Sequence, residues 1–156
     1  MFNPTRDQSR QFLFDVWAKH LANAPLSPLE SMALAIVIEH PEYHATLENP
    51  ERYLDRDWKP EGGETNPFLH LSMHLAIEEQ LSIDHPPGIR AAVEALAKRR
   101  DSMHDARHDV MECLAEMIWQ AQRHGAPFDN AAYLDCLSRK GAGKPPPARG
   151  VQGGST

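Results

Sequence analysis

Apolar residues recur along most of this chain at the three- and four-residue spacing of an amphipathic helix, and no stretch alternates with the two-residue period of a β-strand. Prolines that follow a good capping residue divide the pattern into segments, as at Asn3-Pro4, Ser27-Pro28, Asn49-Pro50 and Asn66-Pro67. The segments predict helices over residues 4–22, 28–39, 50–54, 67–83, 87–99, 103–123 and 130–138. We therefore expect an all-α fold, a compact helical bundle of four main helices with short accessory helices.

The second predicted helix carries the clearest local signals. It begins with Ser27-Pro28-Leu29-Glu30, a capping box in which Glu30 reaches back to the cap, and we assign Glu30 that role. Its next residues, 32–38, are apolar on every side, which predicts the central and most buried helix of the bundle. This apolar run is also the longest in the chain, and it is far shorter than the ~20 residues that a membrane span requires.

Length and charge bound the domain organisation. The chain has 156 residues and a net charge of −6, and this length suits one ordinary domain. Residues 139–156 contain four basic residues and no acidic residue; since they contribute +4, residues 1–138 carry −10. We predict a helical domain over 1–138 and a disordered, basic, Gly/Pro-rich tail over 139–156. The acidic domain argues against duplex nucleic acid as a partner.

The sequence also bounds the location and the redox chemistry. The polar N-terminus lacks the apolar stretch of a secretory signal, so we expect a cytoplasmic protein without a membrane partner. Two cysteines are too few for a disulfide framework, and we interpret Cys113 as a small buried hydrophobic residue. A small-molecule or protein partner, and the oligomeric state, are left open.

Histidines on the predicted helix 67–83 lie where a core residue is expected. At about 100° per residue, with His70 at 0°, His74 falls near 40° and Glu78 near 80°. Ile77 and Leu81 fall in the same sector, so the three polar residues share the apolar stripe. Burying three titratable groups is costly unless something satisfies them.

Two further segments repeat this spacing. His108 and Glu112 border the apolar stripe of helix 103–123, and His40 and His44 follow helix 28–39. His-x-x-x-His or His-x-x-x-Glu occurs at 40/44, 70/74, 74/78, 104/108 and 108/112. Helical bundles build metal sites from such inward-facing groups, and imidazole with carboxylate suits iron, manganese or zinc.

The leading hypothesis is therefore a divalent metal site (Fe, Mn or Zn) between helices, with oxygen, redox or hydrolytic chemistry. Its candidate ligands are His40, His44, His70, His74, Glu78, His108 and Glu112. The alternative is a non-enzymatic protein-interaction module in which the same residues form a buried structural network. The residues leave open whether the protein is an enzyme, and they identify no catalytic group.

Four long motifs carry a family resemblance: MFNPTRDQSRQFLFDVW, HPEYHATLENPERYLDRD, NPFLHLSMHLAIEEQLSIDHPPGIR and MECLAEMIWQAQRHG. Through them, residues 1–138 resemble an uncharacterised bacterial family defined as a domain of unknown function (number 1841). The resemblance implies a compact cytoplasmic helical protein and no particular reaction. More loosely, the histidine spacing is similar to that of hemerythrin-like and DinB-like metal bundles.

Overall fold

A computed structural model describes residues 5–59, 63 and 65–143 of the chain. Its elements are α1 (Arg6–Leu21), α2 (Pro28–Ile38), a 3₁₀ turn (Pro41–Tyr43), α3 (His44–Leu47), α4 (Pro50–Tyr53), α5 (Pro67–Ile83), α6 (Ile89–Arg100), α7 (Met103–His124) and α8 (Asn130–Gly141). No described residue belongs to a strand, so the predicted all-α fold is confirmed. Within the described residues, no helix is both long and apolar enough to cross a bilayer.

Capping residues set the helix starts much as the sequence predicts. The Ser27 hydroxyl accepts from the backbone N–H of Glu30, whose carboxylate accepts from the Ser27 N–H, which confirms the capping box. Asn66 accepts from the backbone N–H groups of Phe68 and Leu69 at the start of α5. The predicted Asn3-Pro4 start lies outside the described residues, and α1 is capped instead by Thr5.

The described residues form two compact units, one before and one after the boundary between residues 79 and 80; the domain bounds 1–138 stay a prediction. The first unit has a hydrophobic core in which α1 contributes Phe14 and Trp17 and α5 contributes Leu71. α2 buries only one face in this core: Val37 is fully buried, whereas the adjacent Ile38 is 51% exposed. The prediction that α2 is the most buried helix is therefore wrong: α2 has three buried residues, whereas α5 has six.

The second unit is built from α6, α7 and α8. Its largest fully buried side chains include Ile89 and Leu96 of α6, Val110 of α7, and Tyr133 and Leu137 of α8. The Tyr133 hydroxyl donates to the side-chain oxygen of Gln80 at 2.7 Å, and burial raises the pKa of this phenol far above its usual 10.

A disulfide between Cys113 and Cys136 joins α7 to α8. The two Cα atoms are 5.9 Å apart, which lies within the usual range for a disulfide. Our interpretation of Cys113 as an unpaired small hydrophobic residue is therefore wrong, although the residue is fully buried as expected. Spacing along the chain could not show the pairing because the two residues lie on different helices.

The last described helix continues past its predicted end at residue 138. Arg139 and Lys140 lie in the last turn of α8 rather than in an irregular tail. Arg139 pairs with Asp135 at 2.9 Å and Lys140 pairs with Glu112 at 2.7 Å, and cations are favoured at a helix C-terminus. The rest of the predicted tail, 144–156, lies outside the described residues.

Candidate metal centre

The end of α2 places His40 in the first unit. Pro41 cannot donate a backbone hydrogen bond and disfavours a helical conformation in the residue before it, so α2 ends and a 3₁₀ turn follows. His40 is 4% exposed, and its Nδ1 lies 2.8 Å from the carbonyl oxygen of Ile36. A carbonyl oxygen only accepts, so Nδ1 carries a hydrogen, and in the neutral imidazole Nε2 is then the nitrogen with the lone pair. This is the arrangement in which metal-ligating histidines are usually held.

Helix α5 supplies the other two histidines. His70 and His74 are one turn apart, as the sequence spacing predicts, and their ring centroids are 4.8 Å apart. His74 is 3% exposed and His70 is half-buried. The apolar stripe of α5 thus carries at least one deeply buried imidazole, as the helical projection predicts.

His40, His70 and His74 form one cluster, which we call the histidine centre. The centroid of His40 is 5.1 Å from that of His70 and 4.8 Å from that of His74. Each imidazole offers one ring nitrogen, and these nitrogens lie within 4.8 Å of one another. In a tetrahedral site with bonds of about 2.0–2.1 Å, ligand nitrogens would be about 3.3–3.4 Å apart, so a small contraction would bring the three rings around one ion.

His44 has different surroundings. Its Nε2 lies 2.8 Å from the carbonyl oxygen of Val37, to which it donates. Its ring stacks on the indole of Trp17 with a centroid distance of 4.2 Å, and the indole Nε1 donates to Glu48. The His40/His44 spacing would place both rings on one face only if the helix continued, and Pro41 interrupts it. His44 is not a member of the histidine centre.

Glu78 lies on α5 one turn after His74 and is half-buried. It is not among the residues whose ligand atoms come together in the histidine centre. The first unit therefore brings together three imidazoles of the predicted ligand set. The carboxylate of Glu78, which the sequence analysis predicts as a further ligand on the same helix, is not part of this cluster.

His108 and Glu112 lie on α7 in the second unit. His108 donates from Nδ1 to the carbonyl oxygen of His104 at 3.1 Å. Glu112 is 70% exposed and accepts from Lys140 at 2.7 Å. The helical projection could not show this contact because Lys140 comes from α8. A ligand role for either residue stays a prediction.

Sequence reasoning missed Tyr43 as a neighbour of the histidine centre. Its ring stacks on His40 with parallel planes (2°) and a centroid distance of 5.7 Å. It also meets His70 at 5.9 Å with an angle of 69°. Burial, and secondarily Glu42, raises the pKa of the Tyr43 phenol. Pro41 is the sequence feature that could have predicted this contact, because it favours a 3₁₀ turn after α2. In such a turn, residues three apart eclipse each other, so the ring of His40 stacks on Tyr43 and not on His44.

The fold and the cluster define an all-α protein with a histidine centre buried beside its core. A family model described as "Domain of unknown function (DUF1841)" matches residues 5–139. The chain belongs to this family, which confirms the resemblance that the motifs indicate. No curated protein and no solved structure matches the chain.

Proposed function

We propose that this protein binds a first-row divalent metal ion through His40, His70 and His74. The observation that carries the proposal is the meeting of three imidazole nitrogens within 4.8 Å of one another. Two of these side chains, His40 and His74, are nearly inaccessible to solvent, as the ligands of a buried site would be. A metal ion would accept a lone pair from one nitrogen of each ring.

The donor set favours zinc or iron(II) over manganese. Imidazole suits zinc and iron, whereas manganese prefers carboxylate, carbonyl and water oxygens. When bound, such an ion would supply Lewis-acid activation of water, or oxygen chemistry if the ion is iron. The protein's own contribution would be to hold the His40 ring by its bond to the Ile36 carbonyl, leaving Nε2 for the ion.

His108 and Glu112 are retained as proposed ligands from the sequence alone. His108 has the same local arrangement as His40, with Nδ1 donating to a backbone carbonyl. The metal measurement described below, applied to His108→Ala and Glu112→Gln, tests each residue separately.

A second candidate function is a non-enzymatic interaction module in which the histidines are structural. One observation favours it: His40 and His44 donate to the carbonyls of Ile36 and Val37 in the last turn of α2. Each of these carbonyls also accepts a backbone N–H, from Glu39 and His40 respectively, so the two rings add a second hydrogen bond to the end of α2 without any metal. This interpretation predicts a folded protein that contains no metal and gains no stability from added metal.

Elemental analysis of untagged protein, purified without chelators, tests the two interpretations. We expect about one equivalent of zinc or iron per chain, a loss of this metal in His74→Ala, and retention in His20→Ala. His20 is a suitable control because it is a half-buried histidine of the same unit, with its ring 5.1 Å from Trp17. Metal-free protein after anaerobic reconstitution with both ions would exclude the metal function.

We also propose the cytoplasmic location that the sequence predicts. Disulfides are rare in that compartment because thiols are kept reduced there. The proposal therefore predicts that Cys113 and Cys136 are free thiols in living cells, and that the disulfide forms on exposure to oxidant. Rapid acid quenching followed by alkylation and mass measurement would detect this; a fully oxidised pair would contradict a cytoplasmic location.

A further inference from the structure

We propose that Tyr43 is a positioning residue of the histidine centre, with an aromatic ring that holds the imidazoles of His40 and His70 in the orientation that binds metal. This inference rests on the proposed metal function and extends it to a residue outside the ligand set. It concerns the ring of Tyr43 and not its hydroxyl group.

The backbone fixes the contact between Tyr43 and His40. The backbone N–H of Tyr43 donates to the carbonyl oxygen of His40 at 3.0 Å, which closes the 3₁₀ turn. Side chains three residues apart eclipse each other in such a turn, and the two rings are accordingly parallel to within 2°. His40 is thus held on two sides, by the Ile36 carbonyl at Nδ1 and by the face of the phenol ring.

The same phenol ring also contacts the second ligand. It meets His70 at an angle of 69° and a centroid distance of 5.9 Å, an edge-to-face arrangement that aromatic pairs favour. The ring planes of His40 and His70 are inclined at 71°, so each of the three rings contacts the other two. His70 comes from α5 and His40 from the end of α2, and Tyr43 therefore links the two segments that supply the ligands.

Tyr43 can position other rings because it is itself anchored. It is half-buried and packs against the hydrophobic core of the first unit. A metal ligand that rotates freely must be ordered when the ion binds, and losing a group that orients a ligand typically weakens metal binding by about 10–100-fold. We expect the ring of Tyr43 to contribute on this scale.

The test is the zinc affinity of the full chain, measured by competition with a chromophoric chelator. Tyr43→Phe keeps the ring and should bind zinc within about twofold of the wild type, whereas Tyr43→Leu should bind about 10–100-fold more weakly. Tyr53→Leu is the matched control, because Tyr53 is a half-buried tyrosine of the same unit that stacks on Trp58 instead. It should bind zinc like the wild type.

A spectroscopic measurement separates positioning from a general loss of folding. Cobalt(II) loaded in place of zinc reports ligand geometry through its visible absorption, and we expect a changed band shape in Tyr43→Leu but not in Tyr43→Phe or Tyr53→Leu. Circular dichroism on the same samples checks the helix content; if Tyr43→Leu is unfolded, Tyr43→Met replaces it.

The possible results distinguish a failure of the metal function from a failure of the proposed role of Tyr43. A wild-type protein that binds neither zinc nor cobalt overturns the metal function. A wild type that binds zinc, with a folded Tyr43→Leu or Tyr43→Met variant of equal affinity and spectrum, overturns only the role of Tyr43. Equal losses of zinc affinity in Tyr43→Phe and Tyr43→Leu would also overturn it, because they would show that the hydroxyl group, and not the ring, is responsible.

Discussion

Arg10 donates from Nη1 to the backbone carbonyl of Leu54 at 2.8 Å, although the arginine is only 3% exposed. The same nitrogen lies 2.7 Å from the carbonyl of Arg56, and the guanidinium lies 4.8 Å from the ring centroid of Phe68. Burial, and secondarily Arg6, lowers the pKa of Arg10, but an arginine remains charged at neutral pH. One buried cation thus holds the segment after α4 against α1.

Replacing Arg10 by alanine should lower the free energy of unfolding by about 2–4 kcal/mol. The change removes the donor to the carbonyls of Tyr53 and Leu54, both on half-buried residues, and the contact with the Phe68 ring. Arg6→Ala is the control: Arg6 is half-exposed, and its ion pair with Asp57 and its hydrogen bond to the Arg56 carbonyl both lie at the surface, so its loss should cost less than about 1 kcal/mol. Urea denaturation measures both, and equal effects of the two variants would argue against a buried structural role for Arg10.

Replacing His44 by alanine should leave the metal content unchanged while lowering stability by about 1–3 kcal/mol. The variant removes one of the two donors to the Val37 carbonyl and the stacking on Trp17, each worth about 0.5–1.5 kcal/mol, but no member of the histidine centre. Metal per chain and urea denaturation are measured on the same preparation. Loss of metal from a folded variant would show that His44 is a ligand, as its spacing from His40 first suggests.

Asp84 should make the stability depend on pH in the acid range. Its carboxylate accepts from the backbone N–H groups of Gly88 and Arg90, and these bonds, the one from Arg90 first, lower its pKa below the usual 3.8. A carboxyl with a lowered pKa in the folded state contributes stability above its unfolded pKa and loses it as pH falls through the folded pKa.

Asp84→Asn should therefore melt at a lower temperature than the wild type at pH 7, and the difference should shrink as the pH is lowered through and below about 3.8. Thermal melts of both proteins at pH 7, 5, 4 and 3 would measure this difference in melting temperature. Asp57→Asn is the control, since Asp57 is 64% exposed in a surface ion pair. A difference between wild type and Asp84→Asn that stays constant down to pH 3 would contradict the role of the ionised carboxylate.

Removing the disulfide should lower the free energy of unfolding by about 3 kcal/mol. The two cysteines are 23 residues apart, and closing a loop of that length reduces the entropy of the unfolded chain by about that amount. Cys136→Ser, compared with oxidised wild type in urea, gives the value. Added dithiothreitol should destabilise the wild type and leave the variant unchanged; a response of the variant to the reductant would point to another cause.

Local features of the fold were predictable because their causes are local. Ser27 and Glu30 lie three residues apart, so the sequence contains the whole capping box and the start of α2. His70 and His74 share a face because they lie on one uninterrupted helix, and there the four-residue spacing holds.

Features that depend on two elements were not predictable in the same way. The projection of Glu112 gave its angle on α7 correctly, but its contact with Lys140 depends on where α8 lies. The pairing of Cys113 with Cys136 depends on the same packing. Tyr43 was missed because Pro41 changes the helical repeat from 3.6 to about three residues per turn just where the two histidine-bearing segments meet.

The bond between Cys113 and Cys136 turns the second half of α7, the connection 125–129 and the first half of α8 into a covalent ring. A protease that cuts once within this connection would open the ring but release no fragment, because the two pieces would stay linked through sulfur. The cleaved protein would migrate as an intact chain until a thiol separated the pieces. Damage at this exposed bend would therefore stay hidden in an oxidising medium and appear only in a reducing one.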